Sequence, residues 1–432
     1  MKNKILIILL LIIFNINVSA EEIVTVSSKV ELNDENLSSE SINKSALYIK
    51  NGDLLIKNSK IMKTGDGSFD NTNNYLNSAV TVYEKSKLTM NNCDINTNGT
   101  YANGILFDKD SKNNITKTNI ITNNHYSVGI INNDANTKID NVNIETNNSF
   151  SPAIRALDNK LEIINSHIVT NHDNSPLLQV DGNIEIKDST LLSKKSEGLV
   201  AVNNSIITFD NVNMESNNTI SSEIDNNYKS MMFYNPSNDL RSYKVIFNSK
   251  NSSLKSLNGD SFNILNVDME INLENTEIIN DNGIFLRGEK VTKKEIDHHI
   301  ALNLKKQVIN GDIVLDDTKS LKMKLDNSTF KGTISANKED NDIDIILTKN
   351  SKLILTDDIY VNSLTNGDYD NKNIDLNGHM LYIDGEELSK NNIIRLDYNN
   401  ETFYLILLIV LGMILGFSVI YIISWMKKLK SK

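Results

Sequence analysis

Seven segments of this chain share one template in which the apolar positions change parity partway through, and only a strand that turns a corner can satisfy it. Aligned on Asn58, Asn92, Lys117, Asn141, Asn165, Asp188 and Asn211, the segments are separated by 34, 25, 24, 24, 23 and 23 residues. A near-constant period in this range is the signature of a repeat architecture. Two residues before each anchor stand Ile56, Met90, Ile115, Ile139, Ile163, Ile186 and Phe209. Three residues after it stand Ile61, Ile95, Ile120, Ile144, Ile168, Leu191 and Met214. Directly after it come Ser59, Cys93, Thr118, Val142, Ser166, Ser189 and Val212, all small enough for a crowded interior. Inward residues of a straight strand alternate strictly, so apolar positions at −2, +1 and +3 require the register to slip at the anchor.

Such a slip calls for a residue that tolerates the left-handed backbone region, and asparagine is the best choice after glycine. Five of the seven anchors are Asn58, Asn92, Asn141, Asn165 and Asn211. The column therefore predicts stacked bends whose amides bond from coil to coil, interrupted at Lys117 and Asp188. A second strand precedes each corner, marked by Leu47, Val80, Ile105, Ile130, Ile154, Leu178 and Leu199, so each coil carries at least two strands and two turns. Small residues such as Ala79, Gly104, Gly129 and Ala153 stand just ahead of several of these. Polar pairs such as Asn123-Asn124 and Asn147-Asn148 supply turns. The pattern resumes at Asn251, Asn275 and Asn327. The expected fold is all-β, a right-handed parallel β-helix.

Residues 1–20 read as a secretory signal, with Lys2 and Lys4, an apolar run from Ile5 to Phe14, and Val18-Ser19-Ala20 before the cleavage point. Phe403 to Met426 carries no charge over 24 residues and is long enough for a tilted transmembrane helix. Lys427, Lys428, Lys430 and Lys432 follow it, and basic flanks stay cytoplasmic. A cell-wall sorting signal would need an LPxTG-like motif upstream, and Leu396-Asp397-Tyr398-Asn399-Asn400 is not one. The expected order is a signal at 1–20, an extracellular β-helix at 21–400, a membrane helix at 403–426 and a cytoplasmic tail at 427–432, in a single-pass cell-membrane protein.

Removing the two signal and four tail lysines from 44 basic residues leaves 38 against 55 acidic ones, about −17 for the ectodomain. That charge repels nucleic acid and anionic membranes. Cys93, the single cysteine, excludes an intramolecular disulfide and falls in the small inward column.

A glycoside hydrolase needs two carboxylates at a set separation, and Asp316-Asp317 and Asp357-Asp358 are the aspartate pairs to weigh. Each sits in a polar turn and reads as solvated loop acid. A calcium-dependent lyase needs acids converging from adjacent coils beside a base. None of Arg155, Arg241, Arg287 and Arg395 shows acids repeating at coil spacing around it. His298-His299 reads as a charged loop, because neighbours on a strand face opposite ways. His379 in Asn377-Gly378-His379 is faintly similar to a pectinase glycine-histidine turn, but the second glycine is replaced by Met380. No P-loop, dinucleotide fingerprint, HExxH or nucleophile elbow occurs. No catalytic residue, cofactor or metal site is assigned. The strand Met231-Met232-Phe233-Tyr234 entering a loop makes Phe233, Tyr234, Asn235 and Asp239 the expected contact residues.

The coils around Leu161 to Thr170, the Met232-Phe233-Tyr234 strand, and the closing runs Leu325 to Ile334 and Leu376 to Gly385 together resemble the adhesin-like right-handed β-helix proteins of bacterial surfaces. The similarity spans about residues 45–388. It implies a pectate-lyase-like or autotransporter-passenger-like architecture at a cell surface and carries over no active site. The function expected is a non-enzymatic, membrane-anchored surface scaffold that binds a glycan or a surface protein. The alternatives are a polysaccharide lyase or hydrolase with a divergent site, and a purely structural envelope spacer.

Overall fold

The computed structural model describes residues 24–67, 77–220, 228–236, 242–289, 298–316, 318–336, 342–389 and 392–395. The expected signal at 1–20, membrane helix at 403–426 and basic tail at 427–432 lie outside them. Within the described residues the chain winds into a parallel β-solenoid of about 14 turns. At 4.8 Å per coil this is a rod roughly 65 Å long.

Each regular coil carries three strands, where sequence patterning required at least two. The coil Leu47–Lys50, Asp53–Lys57 and Lys60–Lys63 is followed by Ser78–Tyr83, Lys87–Asn91 and Asp94–Thr97. Each strand pairs in parallel with its counterpart one coil on, giving a first, second and third sheet. Some strands run through corners unbroken, and Leu178–Ser193 contributes to all three sheets. Winding begins earlier than the seven templates indicate, since Val24–Val26, Lys29–Asn33 and Asn36–Ser39 already form a complete coil.

The parity change has the physical cause its pattern requires. All seven anchors are left-handed, with φ between 48° at Asp188 and 56° at Asn141 and Asn211. Asp34, Asn251, Asn275, Lys306 and Asn327 hold the same conformation in further coils. One left-handed residue rotates the following segment, so the residue after it points inward; Ser59, Val142 and Val212 are buried there. In the second sheet Ile139, Ile163 and Ile186 lie directly over one another. In the third, Ile95, Ile120, Ile144 and Ile168 do the same. Burying such columns is the main favourable term, at about 1.5–3 kcal/mol for each large apolar side chain.

Small residues after the corner do more than fit. The Ser166 hydroxyl accepts the Val142 amide of the coil before it at 3.2 Å, and Ser189 accepts the Ser166 amide at 3.0 Å. Ser59, Ser252 and Ser328 accept Glu35, Val212 and Gln307 in the same way. The corner breaks the backbone ladder, and the hydroxyl satisfies a buried N–H that would otherwise cost about 1–3 kcal/mol. Between the third and first sheets the device recurs, with Ser127, Ser151, Ser175 and Ser196 linked in sequence at 3.0 Å.

From Phe209 onward the interior turns aromatic. Phe247 packs edge-on against Phe209 at 5.3 Å and Phe262 at 5.5 Å, and Phe233 stacks on Phe262 at 6.0 Å. This corrects the contact-loop expectation at Phe233, which is fully buried. Met231 and Phe233 share the inward parity of their strand, which ends at Tyr234.

Candidate functional site

The outward face of the third sheet carries a groove of about 650 Å³ spanning five coils. Strand alternation places two columns of side chains on it. One runs Asp94, Asn119, Asn143 and His167, residues that lie opposite one another in register. The other runs Asn96, Ile121, Glu145, Val169 and Leu192, so the floor is apolar at Ile121, Val169 and Leu192, with Asn96 at one end and Glu145 between Ile121 and Val169. Lys194 closes the far end.

Two ladders of amides edge this floor. On one side Asn119 donates to Asp94 Oδ1 at 2.8 Å and Asn143 donates to Asn119 Oδ1 at 2.9 Å. On the other, Asn123 donates to Asn98 Oδ1 at 2.8 Å and Asn147 to Asn123 Oδ1 at 2.8 Å. Asn171 completes that ladder by donating to both Asn147 and Glu145. A primary amide has two donor hydrogens and two acceptor lone pairs, and an interior rung spends one of each along the ladder. Asn119 and Asn143 are exposed, so each retains hydrogen-bonding capacity toward solvent or a ligand.

Beyond the second ladder lies a ridge of stacked rings. Tyr101 and Tyr126 stack at 4.7 Å with 9° between their planes, and Tyr126 and Phe150 at 5.0 Å with 13°. All three residues are left-handed, at φ 57°, 58° and 57°. For bulky residues that conformation is an outlier costing about 1–2 kcal/mol. Each stacking contact returns about 0.5–1.5 kcal/mol. Their mutual stacking covers ring faces and turns ring edges outward, so this is a ridge and not a flat platform. Residue typing alone missed it, although the spacings of 25 and 24 residues match the coil repeat.

Ser149, His172 and Asp173 meet beside the ridge, the residue types of a nucleophilic triad. The Ser149 hydroxyl lies 2.8 Å from His172 Nδ1 and donates to Asp173 at 3.0 Å. Asp173 also contacts His172 at Nδ1. A relay needs the acid and the nucleophile on opposite ring nitrogens. Here both meet Nδ1, so the cluster is a hydrogen-bonded turn. Burial pushes the Asp173 carboxyl up, but bonds from Ser149 and His172 outweigh it and leave the group below its usual range.

The sequence-derived candidates fall in different places. Asn58 donates to Asn33 at 2.9 Å and Asn92 to Asn58 at 2.7 Å, while Asn165 bonds Asp140 at 2.9 Å and Asn211 bonds Asp188 at 2.6 Å. Asn141 holds the same left-handed corner. Asn235 is buried and Tyr234 partly so; Asp239 lies outside the described residues. Arg287 requires a correction. It meets Asp260 at 2.5 Å, Glu289 at 3.5 Å and Asp316 at 3.6 Å, acids drawn from successive coils. Lys229 adds a contact to Glu289 at 3.4 Å. Sequence spacing hid this cluster because coil lengths vary there. The side chains of Asp260, Arg287, Glu289 and Lys229 are at most 12% exposed and only Asp316 reaches solvent, at 38%, so the acids are held by buried ion pairs and do not line an open site. His298 is buried and His299 exposed, as opposite-facing neighbours should be.

No protein-family model, no curated protein and no solved structure matches the chain. What the fold defines is therefore the class: a parallel β-solenoid built of repeated three-strand coils.

Proposed function

We propose that this protein is a non-enzymatic, membrane-anchored surface scaffold, adhesin-like in kind, whose solenoid winds right-handed and binds a neutral glycan chain along the third sheet. The single observation that carries the reading is the groove edged by two amide ladders. Spare amide donors and acceptors match hydroxyl groups, which also donate and accept. The apolar floor suits the aliphatic face of a sugar ring. Asp94 and Glu145 oppose Lys194 in the groove, so nothing there selects a polyanion, and the surplus of acids over the whole chain disfavours one. A peptide adding itself as a strand needs a free sheet edge, whereas these strands already pair with the coils on both sides. The leader at 1–20 and the apolar segment at 403–426 support display outside a membrane.

The test is a glycan array probed with the purified chain in detergent, followed by titration of any hit against Asn119→Ala and Asn143→Ala. Both positions are exposed, so the fold should survive their loss. A neutral oligosaccharide that binds the parent chain and at least 10-fold more weakly each variant supports the reading. Equal binding by the variants, or binding to proteins alone, overturns it. Cleavage of an added polysaccharide would move the protein to the lyase or hydrolase class.

A further inference from the structure

We infer that Asp357, Asp358 and His379 form a binding site for a divalent transition-metal ion of the Zn²⁺ type, which staples the last described coils of the solenoid together. Asp357 and Asp358 stand just before the strand Ile359–Val361, and His379 stands just before Leu381–Ile383. These strands pair in parallel with Ile359 opposite Leu381, so one corner of two successive coils supplies all three side chains.

One ligand atom from each residue lies within 4.8 Å of the others. His379 Nδ1 is 4.0 Å from Asp357 Oδ1 and 3.9 Å from Asp358 Oδ1. Hydrogen bonds of this kind run at about 2.7–3.2 Å, so the imidazole is bonded to neither carboxylate. Two ligands about 2.0–2.2 Å from one tetrahedral ion stand about 3.3–3.6 Å apart, so closing these gaps by about half an ångström, within reach of a side-chain rotation at His379, would bring all three onto one ion. Among the described residues the His379 ring makes no hydrogen bond. The carboxylates, by contrast, are already held: Asp358 accepts the Met380 amide at 2.8 Å and Asp357 accepts the Asp358 amide at 2.8 Å. Holding ligands in place beforehand reduces the ordering cost of binding.

The imidazole sets the class of ion. Ca²⁺ and Mg²⁺ take oxygen ligands, whereas one imidazole with two carboxylates suits Zn²⁺, Co²⁺ or Ni²⁺. Asp357 and Asp358 are exposed and His379 is partly so, which leaves positions for water on the ion. An ion bridging residues 22 apart in sequence would tie together two of the last described coils of the solenoid and stabilise them by mass action.

The purified full chain, stripped with EDTA, is titrated calorimetrically with ZnCl₂, and with CoCl₂ while the visible spectrum of bound Co²⁺ is followed. The other histidines give a background that variants resolve. The expected result is one saturable equivalent in the parent chain, weakened about 10–100-fold in both His379→Ala and Asp357→Asn. Asp357 is exposed enough that its amide variant keeps the fold, which circular dichroism checks. Zn²⁺ should also slow proteolysis of the C-terminal coils in the parent and not in His379→Ala. Zn²⁺ binding unchanged in both variants, or none in the parent, overturns the site. Displacement of Zn²⁺ by equimolar CaCl₂ overturns the assignment of metal class.

Discussion

The side-chain amide of Asn92 donates to Oδ1 of Asn58, 34 residues earlier in the chain, at 2.7 Å. The two residues occupy the same corner of adjacent coils and both are left-handed, at φ 55° and 51°. Conformation and side-chain bonding are therefore separable at this position. Asn92→Gly keeps the backbone and loses one exposed hydrogen bond, so it should lower stability by about 1 kcal/mol or less. Asn92→Val loses the bond and forces a β-branched residue into the left-handed region, for a total of about 2–3 kcal/mol. Urea midpoints read by circular dichroism check the order; equal losses would refute the corner argument.

Tyr126 sits between Tyr101 and Phe150 and makes both stacking contacts of the ridge. Tyr126→Ala keeps the left-handed strain and loses both contacts, so it should destabilise by about 1–3 kcal/mol. Tyr126→Gly loses the same contacts and relieves the strain, and should be closer to the parent by about 1 kcal/mol. Thermal melts of the two variants give this difference directly. An alanine variant at least as stable as the glycine one would contradict it.

Lys63 is fully buried among the threonines of its inward column, and its ammonium donates to the carbonyls of Ser41 at 2.8 Å and Gly65 at 3.0 Å. Burial pushes its pKa down from 10.5 to about 8, against a smaller pull upward from Asp66. Below pH 8 the lysine is charged in both the folded and unfolded states, and the penalty of burying that charge is fully present. Between about 8 and 10.5 the unfolded chain binds the proton more tightly, so this group makes the fold more stable as pH rises. Measured as the parent's stability minus that of Lys63→Met, the gap should grow in the parent's favour across that window. A flat difference would show that the ammonium is not held at a lowered pKa.

Arg287 and Asp260 form the tightest ion pair of the largely buried charge cluster. Burial lowers the guanidinium pKa, but Asp260, Glu289 and Asp316 outweigh it and hold the group above its ordinary value. Arg287→Ala strands buried carboxylates and should cost about 3–5 kcal/mol. Replacing both partners, as Arg287→Met with Asp260→Leu, should recover much of that loss, because an apolar pair leaves fewer charges unmatched. Chemical denaturation of the single and double variants measures the coupling. Additive losses would mean that the two residues do not act as a pair.

Much of the fold was legible because corners leave a local mark. A left-handed residue changes strand parity, and Ile163, Asn165, Ser166 and Ile168 carry that change within six positions. The third strand of each coil was harder to separate, since in Leu178–Ser193 the backbone passes through both corners without a break. The coil beginning at Val24 and the corner at Lys306 depart from the template because Glu35 and Gln307, both long and polar, stand directly after their left-handed residues Asp34 and Lys306, where the other corners have a small residue. Phe233 misled because one step of parity separates Met231 and Phe233, in the core, from Met232 and Tyr234. The groove floor at Ile121, Val169 and Leu192 carries apolar side chains on an outward face, and composition gives no way to tell these from core residues. The Arg287 cluster needs Asp260 and Asp316 brought together by coils of unequal length, which periodicity cannot supply.

The corner amides also set how such a molecule ages. Asparagine side chains hydrolyse slowly to aspartate, and they rank among the thermally labile residues of proteins. At Asn92 or Asn275 that conversion would replace the amide donor held by the corner residue of the previous coil with a carboxylate facing an oxygen. Each event would add negative charge to an already acidic rod and remove one stitch between neighbouring turns. The material that lets this chain bend so regularly therefore also acts as its clock, and the oldest copies should come apart first along that seam.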